Sequence, residues 1–221
     1  MDPQAVAFLI DHTLLKPDAT REAIVRLCRE AREFHFGAVC VNPYWVRLCA
    51  AELAVSSVKL AVVVGFPLGA NETAMKVMEA SRAIEEGARE IDMVMNIGAL
   101  LSGDADVVEG DIAEVVSASH QRHAIVKVIL ETGLLNDGQK EQACKIAQSA
   151  GADFVKTSTG FGPGRATVAD VALMRAKAGP TMGVKASGGI RTWDDCRAMM
   201  AAGANRIGTS SGVAILAAIP V

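Results

Sequence analysis

The sequence predicts an α/β protein that folds as a (β/α)8 barrel, with residues 1–221 in one domain. The first indication is that short apolar runs alternate with longer amphipathic stretches, eight times along the chain and with no linker between them. The second is a recurring junction, seen in "EGAREIDMV", "SAGADFVKT" and "AAGANRIGT", where a helix end is followed by Gly-Ala and then by a strand. Glycine supplies the left-handed cap that such repeated turns need. An open doubly wound sheet is the alternative, because closure depends on the exact number of strands.

The eight apolar runs are the predicted strands. Several of them are almost continuously apolar, which is typical of parallel strands that are covered on both faces. In chain order they occupy residues 8–13, 38–41, 59–66, 90–96, 124–131, 153–158, 183–188 and 205–210.

Three of the amphipathic stretches carry helix start signals. Thr20, Asn71 and Asn136 each stand immediately before a helical pattern, where a side-chain oxygen can accept a hydrogen bond from the first turn. Gly87 and Gly151 are predicted to end the second and third of these helices.

Composition and charge narrow the class of protein. A net charge of −3 gives no reason to expect nucleic acid or an anionic membrane surface as a partner. The N-terminal segment lacks a basic region followed by a long apolar one, and no apolar run reaches membrane-spanning length, so we expect neither a signal peptide nor a membrane anchor. Single cysteines without a C-x-x-C pair are typical of a reduced, cytoplasmic protein; they are Cys28, Cys40, Cys49, Cys144 and Cys196.

Ionisable residues inside the predicted strands are the candidates for chemistry. Asp92 lies in "EIDMVMN", Lys127 in "IVKVILE", Lys156 in "DFVKTS" and Lys185 in "GVKASGG". In a barrel, reactive groups come from the carboxyl ends of the strands, and alternate strand residues point into the lumen. The alternative is that each lysine is half of a buried structural ion pair. Two lysines and an aspartate at comparable strand positions favour a reactive site instead.

The two lysines together suggest a reaction class. Two ammonium groups close together would each lower the pKa of the other, and burial acts in the same direction. A neutral lysine attacks a carbonyl carbon to form a Schiff base, and a neighbouring carboxylate can carry the protons. We therefore predict that Lys156 is the amine, that Lys185 keeps it unprotonated and that Asp92 transfers protons. Spacing alone leaves the two lysines interchangeable.

Two glycine-rich turns predict a phosphate site, because "ASGGIRT" follows the seventh predicted strand and "GTSSG" follows the eighth. Loops at these positions, with a short helix after the eighth strand, often bind phosphate in barrels. The alternative is that these glycines only make tight turns. A third glycine-rich segment, "GFGPG" at residues 160–164, is predicted to be a loop that leads into a helix. The substrate-binding and phosphate-binding candidates are Gly160, Gly188, Gly189, Gly208, Ser210 and Ser211.

No metal and no cofactor are predicted. The sequence has no clustered Cys/His site and no H-E-x-x-H motif. It also lacks the G-x-G-x-x-G and G-x-x-x-x-G-K-[ST] loops of nucleotide-binding proteins.

These motifs together resemble the deoxyribose-phosphate aldolase family. In order along nearly the whole chain they are "DHTLLKP", "VCVNP", "VVGFPLG", "EIDMVMNIG", "KVILETG", "GADFVKTSTGF", "VKASGGIRT" and "RIGTSSG". The resemblance implies a class I aldolase, an aldehyde-lyase of carbohydrate degradation that works on a (β/α)8 barrel without metal. Such an enzyme interconverts 2-deoxy-D-ribose 5-phosphate with D-glyceraldehyde 3-phosphate and acetaldehyde, and it is expected to be a dimer or a tetramer.

The resemblance also implies residue roles. The lysine of "VKTSTG", Lys156, would form the imine. The lysine of "VKASGG", Lys185, would lower the pKa of Lys156 and relay protons, and the aspartate of "EIDMV", Asp92, would be the general acid/base.

Two departures from the family pattern bear on those roles. Some members carry a C-terminal tyrosine that reaches the active site, whereas the only tyrosine here is Tyr44. Water, with the aspartate and the second lysine, is then expected to take the proton from the imine. Where some members place a phosphate-binding lysine, this sequence has Phe161, for which Arg165 or Arg191 could compensate.

Two other functions are consistent with these residues. One is a Schiff-base aldolase that uses a ketone rather than acetaldehyde as its donor. The other is a barrel that binds a sugar phosphate without catalysis, against which the intact set of Asp92, Lys156 and Lys185 argues.

Overall fold

Eight parallel strands form a closed barrel in the structure, a computed structural model that describes residues 2–220. The strands are β1 (Ile10–Leu14), β2 (Ala38–Val41), β3 (Lys59–Val64), β4 (Glu90–Val94), β5 (Ile125–Ile129), β6 (Phe154–Lys156), β7 (Gly183–Ser187) and β8 (Arg206–Thr209). Each strand pairs with the next, and β8 pairs with β1. The predicted barrel is therefore confirmed, and the open sheet is excluded.

Helices cover the outside of the barrel and connect its strands. They are α1 (Pro3–Phe8), α2 (Arg21–Glu33), α3 (Val46–Leu53), α4 (Thr73–Glu85), α5 (Ile97–Ser102), α6 (Ala105–His120), α7 (Asp137–Ser149), α8 (Val168–Ala178), α9 (Trp193–Ala201) and α10 (Gly212–Ala217). Two short 3-10 helices, Pro43–Trp45 and Thr132–Leu134, follow β2 and β5. Within residues 2–220, none of the helices combines the length and the apolar character that crossing a membrane requires.

The first element differs from the prediction. The sequence predicts a strand from Phe8, but α1 extends to that residue and β1 begins at Ile10. The Asp2 side chain accepts a hydrogen bond from the Gln4 N–H at 3.0 Å, and Pro3 suits the first helical turn. The predicted strands also overrun elsewhere, since β3 ends at Val64 where the next residue, a glycine, takes a φ of +61°.

Two of the three predicted helix starts are confirmed. Thr20 accepts a hydrogen bond from the Ala23 N–H, and Asn136 forms a reciprocal capping box with Gln139. The third is wrong, because α4 begins at Thr73 and is preceded by a glutamate whose side chain makes no capping bond. The two predicted terminal glycines lie just beyond their helices with positive φ, as left-handed caps require.

The barrel lumen has two halves of different chemistry. The inward side chains near β1 to β3 are mostly small and apolar and form a cluster of their own; they are Leu15, Ala38, Cys40, Ala61 and Val63. On the other strands the register places charged residues side by side. Asp92 is the partner of Lys127, and Lys156 is the partner of Lys185. The charged residues of the lumen therefore lie on β4 to β8 and on the adjoining strand β1, which contributes Asp11.

Candidate active site

The three predicted catalytic residues meet in the lumen. Asp92 is in the middle of β4, Lys156 is the last residue of β6 and Lys185 is in the middle of β7. All three side chains are buried among the strands, with relative exposures of 0%, 2% and 0%. The periodicity of two along each strand directs them inward, while the residues on either side face the helices.

One carboxylate holds three ammonium groups. Lys156 Nζ donates to Asp92 Oδ2 at 2.8 Å, and Lys185 Nζ donates to the same oxygen at 2.7 Å. Lys127 Nζ donates to Asp92 Oδ1 at 2.7 Å. The two predicted catalytic lysines are therefore direct neighbours, as the sequence suggested, but a third lysine shares their carboxylate.

The charges around Asp92 determine its ionisation. Burial alone would raise the pKa of Asp92, but the three lysines outweigh it and hold the pKa well below its ordinary value. Burial would lower the pKa of Lys185, but the carboxylates of Asp11 and Asp92 outweigh it and raise that pKa above its ordinary value. The prediction that crowding lowers the pKa of both lysines is thus wrong for Lys185. The charged form of Lys185 is therefore favoured next to Lys156.

Three charged residues of this cluster were not predicted: Asp11 on β1, Glu90 on β4 and Arg206 on β8. Asp11 accepts hydrogen bonds from Lys185 and, at 2.8 Å, from Arg206 Nε. Arg206 also donates to Glu90 at 2.8 Å. Asp11 stands in "IDHTL" as Asp92 stands in "EIDMV", so the same pattern of an acid inside an apolar run could have identified it.

Cys40 lies at the border between the two halves of the lumen. Its Sγ is 3.9 Å from Asp92 Oδ2. Burial, reinforced by the negative charge of Asp92, raises the pKa of the Cys40 thiol to about 11. The residue is therefore a neutral lumen side chain at physiological pH.

Lys156 also lines a cavity of about 350 Å³ at the carboxyl ends of the strands. Of the predicted substrate-binding residues, five line the same cavity: Gly160, Gly188, Gly189, Gly208 and Ser210. Within residues 2–220, the N–H groups of Gly188, Gly189 and Ser210 donate to no other protein group, which leaves them free for a ligand. Gly208 has a steric role as well, because a Cβ there would lie 3.1 Å from Lys185 Cε.

Ser211 is the exception among the predicted residues. It does not line the cavity, and its N–H donates to Thr209 Oγ1 at 2.9 Å. Because the turn already uses this donor, Ser211 does not offer its backbone N–H to an anion, contrary to the prediction. The helix that follows, α10, is present where a short helix was expected.

Both basic and aromatic side chains line the cavity. Lys16, in the loop after β1, and Arg191, after β7, both line it, whereas Arg165 does not. Lys16 is a residue that the sequence reasoning missed, although it stands in the quoted run "DHTLLKP". Phe161 also lines the cavity and packs edge-on against Phe66, with ring centroids 5.4 Å apart.

Within residues 2–220, no group of three or more His, Cys, Asp or Glu side chains is arranged to hold a metal ion. The carboxylates of the lumen are instead paired with lysine and arginine. The predicted absence of a metal and of a cofactor stays a prediction.

Comparison with known proteins tests the predicted family. Residues 5–219 match the model of the DeoC/LacD family aldolases. The chain belongs to the DeoC/LacD family of aldolases. The family predicted from the sequence motifs is thereby confirmed, and with it the reaction class of an aldehyde-lyase.

Individual relatives agree with this assignment. A deoxyribose-phosphate aldolase of Streptococcus gordonii is 60% identical over 94% of this chain and 93% of its own length. One of Thermococcus kodakarensis is 58% identical over 100% of this chain and 99% of its own. The solved tetrameric deoxyribose phosphate aldolase of Aeropyrum pernix superposes with a TM-score of 0.92 at 38% identity, covering 98% of this chain and 91% of that one. These aldolases share the barrel over its whole length.

Proposed function

We propose that the protein is a class I aldolase that cleaves 2-deoxy-D-ribose 5-phosphate reversibly to D-glyceraldehyde 3-phosphate and acetaldehyde, with Lys156 as the imine-forming residue. The observation that carries the assignment to Lys156 is an excess of cations in the lumen. Four cationic side chains share three carboxylates: Lys127, Lys156, Lys185 and Arg206 pair with Asp11, Glu90 and Asp92. Of the four, Lys156 alone lines the described cavity.

The excess explains how a free amine arises. Taking several like charges out of water is unfavourable, so one of the four cations is readily deprotonated. Lys127 and Lys185 are held in the charged form, because carboxylates raise the pKa of each above its ordinary value despite burial. Lys156 is the lysine of this cluster that lines the cavity, so its amine is the one that can attack a carbonyl carbon there.

In the synthetic direction, the Lys156 amine adds to the carbonyl carbon of acetaldehyde, and the carbinolamine loses water to give the protonated imine. Loss of a methyl proton gives the enamine, whose terminal carbon forms the new bond to the aldehyde carbon of D-glyceraldehyde 3-phosphate. Water then hydrolyses the product imine. Asp92, within 2.8 Å of the amine, is the proposed general acid/base, and Lys185 relays protons through the same carboxylate.

The phosphate group is proposed to bind at the free N–H groups of Gly188, Gly189 and Ser210. Lys16 and Arg191, which line the same cavity, supply positive charge. This arrangement takes the place of a lysine at position 161. Since the protonated imine itself accepts the electrons of the broken bond, no metal or cofactor is required.

The protein is further proposed to be a cytoplasmic homo-oligomer, a dimer or a tetramer. All five thiols are free and buried, which suits a reducing compartment. Large apolar side chains are exposed on α4, α5 and α6, which suits a subunit interface; they are Met75, Met78, Leu101 and Val107. Light scattering should give a mass of two or four chains, and a monomer at micromolar concentration would contradict the proposal.

Trapping the imine tests the proposed chemistry. The protein is incubated with acetaldehyde, reduced with borohydride, digested and analysed by mass spectrometry, with Lys156→Ala as the control. A two-carbon adduct on Lys156 that is absent from the variant is the expected result, and cleavage of deoxyribose 5-phosphate should accompany it. An adduct on Lys185 would reverse the two lysines. Trapping only with ketones would indicate a different donor, and the absence of any adduct would indicate a binding protein without catalysis.

A further inference from the structure

The glycine-rich loop Gly160–Gly164 has no role in the chemistry proposed above. It leads from β6 towards α8, and its residues Gly160 and Phe161 line the cavity. A buried carboxylate outside the lysine cluster lies against it. This is Glu131, just beyond β5, with a relative exposure of 3%.

The backbone of Glu131 is strained. Its φ of +54° and ψ of +62° lie in the left-handed region, which residues other than glycine rarely adopt. Leu130 and Thr132 on either side are fixed to the neighbouring strand, since their N–H groups donate to the carbonyl oxygens of Lys156 and Thr157 at 2.9 and 3.0 Å. The surrounding structure therefore holds Glu131 in a conformation that its own sequence does not favour, which is common where a side chain has a positioning task.

The carboxylate of Glu131 is bonded to the loop rather than to a cation. Its Oε2 accepts hydrogen bonds from both the backbone N–H and the hydroxyl of Thr159. The Thr159 hydroxyl oxygen in turn accepts from the N–H of Phe161 at 3.0 Å and of Gly162 at 3.3 Å. The carboxylate oxygen of Glu131 is thus connected through the Thr159 hydroxyl to Phe161, which lines the cavity.

Close approaches between the two loops explain why the segment is rich in glycine. A Cβ on Gly162 would lie 2.8 Å from Glu131 Oε2, and a Cβ on Gly133 would overlap the carbonyl oxygen of Pro163. The loop after β6 therefore interlocks with the loop after β5. Further along, the Ala166 N–H donates to the Gly188 carbonyl at 3.0 Å, which ties the same loop to the proposed phosphate-binding turn.

We infer that Glu131 is a positioning residue for substrate selection. Through Thr159 it sets the conformation of residues 159–166, and this loop forms the side of the cavity where the phosphorylated aldehyde binds. It takes no part in the formation of the imine on Lys156. The inference rests on the proposed aldolase function.

Separate measurement of binding and imine formation in Glu131→Ala tests this role. Loss of the hydrogen-bond chain should raise the KM for deoxyribose 5-phosphate by about tenfold, the effect of a buried hydrogen bond to a charged group. The rate of borohydride trapping with acetaldehyde should stay within about twofold of the unmodified protein, because that half-reaction does not use the loop. Glu131→Gln keeps an acceptor oxygen at the same reach and should restore KM to within about threefold.

A matched control is available on the surface. Glu109 accepts a hydrogen bond from the Ser149 hydroxyl at 2.6 Å, so Glu109→Ala removes a glutamate–hydroxyl bond that lies away from the cavity. Its KM and its trapping rate should both be unchanged.

Thr159→Val removes the hydroxyl group that connects Glu131 to Phe161 and Gly162. This variant tests the inference if Glu131→Ala does not fold. The rise in KM of the double variant should be smaller than the product of the two single rises, because both substitutions remove the same series of hydrogen bonds. Two results would overturn the inference: an unchanged KM in folded Glu131→Ala or in Thr159→Val, or a fall in trapping as large as the rise in KM. Failure of the aldolase function is recognised separately, because the unmodified protein would then give no adduct.

Discussion

Two fully buried lysines in this molecule serve different purposes, and comparing them shows what makes a lysine reactive. Lys76 on α4 lies outside the barrel, against α6. Its Nζ donates to Asp111 Oδ2 at 2.5 Å and to the carbonyl of Val94 at 3.1 Å. The other carboxylate oxygen of Asp111 accepts from the Thr73 hydroxyl at 3.0 Å. One cation is matched to one anion, and both oxygens of the carboxylate accept a hydrogen bond.

Lys156 is almost as deeply buried and also hydrogen-bonded to a carboxylate. It differs in two respects. Its partner, Asp92, is shared with Lys127 and Lys185, so that cations outnumber carboxylates in the lumen. It also lines a cavity, from which Lys76 is absent. Burial and pairing are therefore common to both sites, whereas an excess of positive charge and access to a ligand belong only to Lys156.

The largest expected difference between the two sites concerns activity. Lys156→Met should reduce kcat for deoxyribose 5-phosphate cleavage by about 10⁴-fold or more, because no other lysine of the lumen cluster lines the cavity to form the imine. Its free energy of unfolding should stay within about 1 kcal/mol of the unmodified protein, since the remaining lumen charges then balance. Steady-state kinetics and urea unfolding measure the two quantities. Residual activity above one per cent of the original would place the imine on another residue.

The reverse behaviour is expected at the other site. Lys76→Met leaves Asp111 buried without its cation and should lower the free energy of unfolding by about 3–5 kcal/mol. At a temperature where the variant remains folded, kcat should stay within about twofold, because the lumen charges are untouched. The double variant Lys76→Met/Asp111→Leu removes both charges and should recover much of the lost stability. A kcat that falls in parallel with stability would mean that the two sites are coupled.

The sequence predicted the barrel and the lumen lysines because both follow from local patterns. Eight apolar runs with intervening helices favour a closed barrel, and a lysine inside such a run is conspicuous. It did not predict Asp11 or Arg206, which are bonded across 195 positions of the chain. Nor did it distinguish Lys76, because a lysine in a helix is ordinarily exposed and only the packing of α4 against α6 buries this one.

Strand ends were also hard to predict, for a physical reason that bears on function. Glu131 directly follows the apolar residues of its run, and the sequence predicts it as the last residue of the fifth strand. In the structure the chain has already left the extended conformation there, since β5 ends at Ile129. Tertiary contacts with the loop after β6 override the local preference. A residue held against its local preference in this way is identified by the structure alone.

The smallest expected effect concerns acid stability. Burial would raise the pKa of Asp11 and of Asp92, but the surrounding cations hold both below the ordinary value of about 3.9. The unfolded chain then binds more protons than the native protein below about pH 5, so the stability that these groups contribute is complete above that pH. It is lost as the pH falls through their lowered pKa values.

Lys156→Met should make this loss shallower, because Asp92 keeps only two of its three cations and its pKa moves back towards the ordinary value. Urea unfolding at pH 6, 5, 4 and 3 should show that the variant loses about 1 kcal/mol less than the unmodified protein, the equivalent of roughly one pKa unit. Lys177→Met, which removes one partner of the surface pair with Glu141, is the control and should follow the unmodified protein. Parallel curves for all three proteins would contradict this prediction, because they would mean that Lys127 and Lys185 hold down the pKa of Asp92 without a contribution from Lys156.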